Sequence, residues 1–355
     1  MKTLKFKFLG LLFLGTSLLS FAAQSNSKEI HREIIVNPDV LVKIKNQFGD
    51  LNISSWDENK VVIDVVITVK GSNQKRVDEK LDEIDVVFNL SSDLVSARTQ
   101  IDEGWGYFWF NSSKLRYDID YTVKLPRSSA VDLENDYGSI LLNELDGSAK
   151  INCDYGKLLI GDLHHENNSL SFDYTTNSTI DFIKGGEIRA DYSGFEVMEA
   201  GTISLQADYT NSKFNTIERL EFKNDYGKLN IDRINHLNGR GDFLTLQLGT
   251  LYKKLDLNQE FGSIRVDHIN PSAEMIMVDS EYTGVTLGID SEWDFTYKIN
   301  LEFASLKSSL PLQHLIQREE STEKTYKGYS KDENSSNSIL IKSEFGTVKL
   351  KNANF

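Results

Sequence analysis

Asp136-Tyr137-Gly138-Ser139-Ile140 returns as Asp154-Tyr155-Gly156-Lys157-Leu158 and again as Asp225-Tyr226-Gly227-Lys228-Leu229-Asn230-Ile231. Looser copies lie between them: Asp173-Tyr174-Thr175, Asp191-Tyr192-Ser193 and Asp208-Tyr209-Thr210. Asp242-Phe243, Glu260-Phe261-Gly262, Glu281-Tyr282-Thr283, Glu302-Phe303-Ala304 and Glu344-Phe345-Gly346 follow, and Gln47-Phe48-Gly49-Asp50 is an outlying early copy. From Tyr137 to Phe261 the aromatic positions are 18, 19, 18, 17, 17, 17 and 18 residues apart, and then 21, 21 and 42. A fixed period of this length is the mark of a stacked repeat, in which each copy buries its apolar face only against its neighbours.

Within each copy, apolar and polar residues alternate on both sides of the corner, as in Leu220-Glu221-Phe222 and Leu229-Asn230-Ile231. That is the period of a half-buried strand, so each copy reads as strand, corner, strand. Antiparallel hairpins would alternate the direction of equivalent positions and give no reason for the same acidic-aromatic corner to recur. The expected fold is therefore all-β, a single-stranded parallel β-helix or β-solenoid over residues 131–355. Right-handed crossovers are the general rule for parallel strands.

Residues 23–130 depart from the repeat. Ile34 to Asn52, Val61 to Lys70, Val86 to Leu90 and Tyr117 to Leu125 read as strands, and Gln74 to Ile84 as a short charged helix. The expectation is a β-rich cap, including the first repeat-like segment, over the open end of the solenoid. The polar stretch near 317–337 interrupts the last rungs and reads as a mobile insertion.

Lys2, Lys5 and Lys7 precede the apolar run Phe8 to Leu19, and Ser20-Phe21-Ala22 follows. Residues 1–22 thus read as a cleaved signal peptide, since the run is shorter than the roughly 20 residues a spanning helix needs. No later segment is long and apolar enough to span a membrane. The expected location is the periplasm, the cell surface or the exterior. The single cysteine, Cys153, rules out an internal disulfide and reads as a small buried hydrophobe. Without the three leader lysines, 36 basic residues stand against 53 acidic ones, a charge of −17 (36 − 53). Nucleic acids and anionic membranes need a basic face, so neither is an expected partner.

The acidic residue before the aromatic is present in eleven of the twelve copies. It reads as a corner carboxylate that accepts amide hydrogens, rather than as a calcium ligand or a glycosidase pair, because a catalytic pair should be singular. The aromatic is Tyr in seven copies and Phe in five, which makes the hydroxyl dispensable and suggests a ring ladder stacked in the core. Gly138, Gly156, Gly227 and Gly262 would then supply a backbone state that side chains resist. His165 and His236 share a repeat column but lie four rungs apart, too far to share a metal ion. His164-His165, with Asp162 and Glu166, reads as a solvated turn. No nucleophile elbow, zinc-protease motif, phosphate loop or dinucleotide fingerprint is present, so no catalytic residue, cofactor or metal is expected. Trp105, Tyr107, Phe108, Trp109 and Phe110 form the densest aromatic run, a candidate partner contact or a plug over the solenoid mouth.

Three segments carry a family resemblance: Asn46-Gln47-Phe48-Gly49-Asp50-Leu51-Asn52-Ile53 with Trp56, Tyr121-Thr122-Val123-Lys124-Leu125-Pro126, and Val131 through Ile140. In these the chain resembles a bacterial family of exported β-solenoid proteins known as "putative adhesins", related to autotransporter-adhesin head domains. The resemblance implies export and a β-helical body, and it brings no catalytic residues. Two functions follow as expectations. One is a non-catalytic envelope or surface scaffold whose regular faces meet a glycan, a protein partner or another copy of the chain. The other is a β-helix carbohydrate-active enzyme, a polysaccharide lyase or hydrolase, which the tight central rungs disfavour.

Overall fold

The computed structural model describes residues 24–102 and 115–353. Its first rung is made by β2 (Leu41–Gln47) and β3 (Leu51–Trp56), preceded by β1 (Gln24–Ile35). After it come β4 (Lys60–Gly71), α1 (Gln74–Asp82), β5 (Ile84–Leu90), β6 (Leu94–Ile101) and β7 (Arg116–Pro126). Then the coil begins in earnest with β8 (Ala130–Asp136), β9 (Ser139–Leu145), β10 (Ala149–Asp154), β11 (Lys157–Leu163) and β12 (Asn168–Asp173). Longer strands follow: β13 (Ser178–Asp191), β14 (Gly194–Asp208), β15 (Asn211–Asp225) and β16 (Gly227–Asp242) each run from the second side of one rung into the first side of the next, β17 (Leu244–Ile269) continues through the Phe261 corner, and β18 (Met275–Ile289) spans both sides of the Tyr282 corner.

Pairing between rungs is parallel and in register. Asp154 stands beside Asp136, Asp173 beside Asp154, and Asp191, Asp208 and Asp225 continue the row. The expected all-β solenoid is what the chain forms. Its core is a stack of inward aliphatic columns. Within one rung Phe195, Val197, Ala200, Ile203, Leu205 and Ala207 all point inward and are buried. Their spacing widens from two residues to three on either side of Ala200, which bends the strand twice and turns the chain back over the core. Phe172, Phe195 and Phe214 fill three consecutive rungs edge to face, with centroids 5.4 and 5.8 Å apart.

The amino-terminal β-rich region mixes parallel and antiparallel pairing. β6 lies parallel to β2 and β7 parallel to β3, but β5 then runs antiparallel to β6, β4 to β7 and β1 to β4. Helix α1 has Asn73 as its cap residue, accepting from the Arg76 N–H, and buries Val77 and Leu81. Inside the cap, Thr99 donates to the Asn46 side chain (2.7 Å) and shares a hydrogen bond with the Tyr121 hydroxyl (2.8 Å). Asn46 donates to the Ile119 carbonyl (2.9 Å), so these polar groups are buried with partners.

At the other end, spatial and sequence order part company. The last rungs contain β19 (Thr296–Glu302), β20 (Ser305–Ser308), β21 (Gln313–Glu319), β22 (Glu323–Tyr329), β23 (Ser338–Glu344) and β24 (Thr347–Asn352). β23 and β24 pair with β18, and β19 and β20 pair with the far side of β23 and β24. The rung that comes later in sequence is thus inserted beneath the earlier one. The segment expected to be a mobile insertion is largely a hairpin: β22 runs antiparallel to β19, and β21 antiparallel to β22. Tyr297 and Tyr326 anchor it from the inner side and are buried. Polar sequence there belongs in part to the outer strand β21, which is exposed at every residue.

Candidate functional site: the corner ladder

The repeated aromatic does not enter the core. From Tyr137 to Phe345 every ring of the column is between 39% and 55% exposed, and only Phe48 at the capped end is less so. The expectation of a buried ladder is therefore corrected. The reason is in the backbone: Phe48, Tyr137, Tyr155, Tyr174, Tyr192, Tyr209, Tyr226, Phe243, Phe261, Tyr282, Phe303 and Phe345 all have φ between 47° and 63°. In this left-handed region the chain turns sharply, and a residue that strict alternation would point inward is rotated outward.

The glycines do another job. The left-handed state belongs to the ring residue, and the glycine after it allows close approach of the neighbouring rung. A Cβ on Gly138 would stand 1.9 Å from the Gly49 carbonyl oxygen. At Thr175, Ser193 and Thr210 a hydroxyl residue replaces the glycine and bonds between rungs: the Thr175 N–H donates to Ser193 Oγ, and the Ser193 N–H to Thr210 Oγ1 (both 3.1 Å).

The outer rings stack on one another. From Phe48 through Tyr137, Tyr155, Tyr174, Tyr192, Tyr209, Tyr226, Phe243, Phe261 and Tyr282, neighbouring centroids are 4.7 to 5.2 Å apart and the planes within 10° of parallel. The ladder ends with Phe345 and then Phe303, reproducing the exchanged rung order. By strand spacing it is roughly 50 Å long. Tyr117 closes the other end, set edge-on to Phe48 at 72°.

The acidic column runs directly beside it. From Asp154 to Asp225 each carboxylate bonds to the next rung's corner: Asp154 accepts from the Asp173 N–H (3.2 Å), Asp173 from Asp191 (3.1 Å), Asp191 from Asp208 (3.1 Å), Asp208 from Asp225 (3.3 Å), and Asp225 from Asp242 (3.0 Å). Partial burial, reinforced by the neighbouring Asp136 and Glu134 charges, holds the Asp154 carboxyl above the usual carboxylate range despite the Asp173 N–H, and burial does the same to Asp136.

A carboxyl whose folded pKa is raised stabilises the fold below its unfolded pKa, and that contribution is lost as pH rises through the folded value. Asp154 should therefore titrate above an ordinary aspartate in a carbon-detected NMR titration, and Asp136→Asn should move its midpoint down. An unmoved midpoint would show that the row does not repel itself.

The strained corner also makes a mutational prediction. Tyr192→Val should cost about 1–3 kcal/mol, because a branched side chain resists positive φ, whereas Tyr192→Asn, which tolerates that region, should cost less. Denaturant midpoints of the two variants would check the order.

The remaining sequence candidates are not brought together. His165 accepts from the Asn167 N–H at Nδ1, His164 tilts against Phe182, and His236 lies in register between Arg219 and Lys254. Among the described residues no group of three His, Cys, Asp or Glu is placed to hold a metal ion. Cys153 is buried and its thiol is pushed up to about 12 by burial, which leaves it unreactive near neutral pH. Trp105, Tyr107, Phe108, Trp109 and Phe110 lie outside the described residues. No helix among the described residues is long and apolar enough to cross a membrane.

Known proteins offer only remote likenesses. No family model matches the chain, and no curated protein does. Among solved structures, a "putative cell adhesion protein" from Clostridium sporogenes shares 14% identity, over 92% of this chain and 100% of that one, with a TM-score of 0.20. A "putative adhesin" from Parabacteroides merdae shares 11% identity over 91% and 96%, at 0.29. A "putative lipid binding protein" from Parabacteroides distasonis shares 10% over the same fractions, at 0.30. None of these likenesses is close enough to carry a function across. The corner ladder has to be read from its own chemistry.

Proposed function

We propose that the chain is a non-catalytic, exported envelope or surface scaffold that binds a glycan or protein partner along its solenoid. The supporting observation is the corner ladder: a continuous row of half-exposed rings, held outward by backbone strain in rung after rung. Exposed aromatic area of this extent is uncommon on a surface with no partner, and strain repeated at every copy marks the corner as a feature the fold maintains. The signal-like leader and the strongly acidic mature composition agree with a location outside the cytoplasm.

The test is retention on bacterial envelopes and on immobilised acidic and neutral polysaccharides, with released reducing ends and unsaturated sugars measured in the same samples. Retention should fall in a Tyr174→Asn/Tyr192→Asn/Tyr209→Asn variant, with no products released. Turnover would overturn the non-catalytic reading, and retention indifferent to the ladder would overturn the choice of surface.

A further inference from the structure

The rings of the ladder use their faces on each other. Their spacing is the strand separation, fixed by parallel pairing on both sides of the corner. No sugar ring can enter between two rungs to stack on a face, so within the ladder a partner meets only ring edges and phenol oxygens. That disfavours the usual aromatic mode of glycan recognition.

The acidic column supplies a second term. Salt bridges are common on the flat sides of the solenoid, as between Lys213 and Glu196 or Lys43 and Asp132. In the corner column, among the described residues, only Glu344 has one, with Lys342 (2.9 Å). Asp136, Asp154, Asp173, Asp191, Asp208, Asp225 and Asp242 stand one strand apart, and among the described residues none has a basic side chain in salt-bridge range. The flanks compensate this row only in part: Arg189, Lys223 and Arg240 are exposed two residues before Asp191, Asp225 and Asp242 without reaching salt-bridge distance, and beyond the rings Lys157 and Lys228 stand among the uncharged Ser139, Asn211, Thr245 and Ser263.

A strip of apolar edges beside a row of unpaired carboxylates suits lysine and arginine side chains. Their methylene stems lie on apolar surface while their heads reach the acids. A second copy of this chain would bring an identical acidic row against the first and be repelled. We propose that the corner ladder docks an extended basic polypeptide segment lying along the rod. This rests on the binding-scaffold reading and names the class of its partner.

The test is fluorescence anisotropy of the full protein with a labelled Lys-Leu-Lys-Pro repeat peptide, and with the same peptide carrying Glu for Lys. Two variants remove the two halves of the strip while preserving the corner. Asp173→Asn/Asp191→Asn/Asp208→Asn keeps an oxygen to accept each N–H. Tyr174→Asn/Tyr192→Asn/Tyr209→Asn keeps a residue that tolerates positive φ. A third variant, Glu218→Gln/Glu221→Gln/Asp232→Asn, removes the same charge from exposed positions away from the corner.

The basic peptide should bind and the acidic one should not. Each corner variant should weaken binding about tenfold, the loss expected from three exposed contacts of ordinary strength, while the flat-face variant changes it less than about twofold. Equal losses in all three variants would reduce the effect to net charge and overturn the proposal, as would binding of the acidic peptide. Ladder-dependent binding of a polysaccharide but not of the peptide would overturn the basic-peptide assignment and leave the scaffold reading standing. If neither probe binds in a ladder-dependent way, both fall.

Discussion

Deleting residues 338–355 is expected to release the far end of the rod as a unit. β23 and β24 hydrogen-bond to β18 on one side and to β19 and β20 on the other, and they bury Ile339, Ile341, Val348 and Leu350 almost completely. At about 1.5–3 kcal/mol for each such side chain, the loss is on the order of 6–12 kcal/mol, as an upper estimate. β19 loses its parallel neighbour, and the β21–β22 hairpin pairs with the stack through β19. Amide exchange over residues 296–329 should rise to nearly unprotected rates while residues 130–260 stay protected. Continued protection would mean that β19 and β20 can restack directly on β18, with which they share the same corner register.

Phe214→Ala is the second large effect, at about 3–5 kcal/mol. Phe214 is fully buried and meets Phe195 edge to face in the middle of the rod, where no loop can collapse into the space. Because each rung touches only its neighbours, the damage should be local. Exchange should accelerate first in the rungs carrying Phe195, Phe214 and Ile231, and the unfolding transition should broaden or split. A single sharp transition shifted as a whole would show that the rungs are coupled over a longer range than nearest-neighbour packing provides.

The period and the parallel stacking are legible because each is written in spacing and alternation, whereas the antiparallel pairing of β1, β4, β5, β6 and β7 is not. The direction of the ring column was misread because Tyr/Phe interchange is equally tolerated by a buried ladder and by an outer one whose hydroxyls face water. The sequence does hold the missing signal. Phe222 and Asn224 point inward before the corner, and Leu229 and Ile231 after it, so the inward positions change parity across Tyr226. One residue in between must break the alternation, and the residue with φ of 55° is the ring itself. The acidic column reads as an amide acceptor from sequence, but that Glu344 is its one member with a salt bridge among the described residues depends on which basic side chains lie within reach. Leu94 to Ile101 escaped notice as a strand because its alternation is short and mixed with Ser and Arg.

The exchanged order of the last rungs also bears on time. From β8 to β18 the rod can grow in the order in which the chain is made, each rung docking on the one just completed. At that point the rule reverses: residues 296–308 exist before residues 338–352, yet their seat lies on top of the later segment. Either the earlier strands wait unpaired, or they settle on β18 and must be displaced. Both routes add a long loop closure to an otherwise local process. The slowest step in forming this molecule should therefore lie at this tip, where Phe345 takes its place between Tyr282 and Phe303.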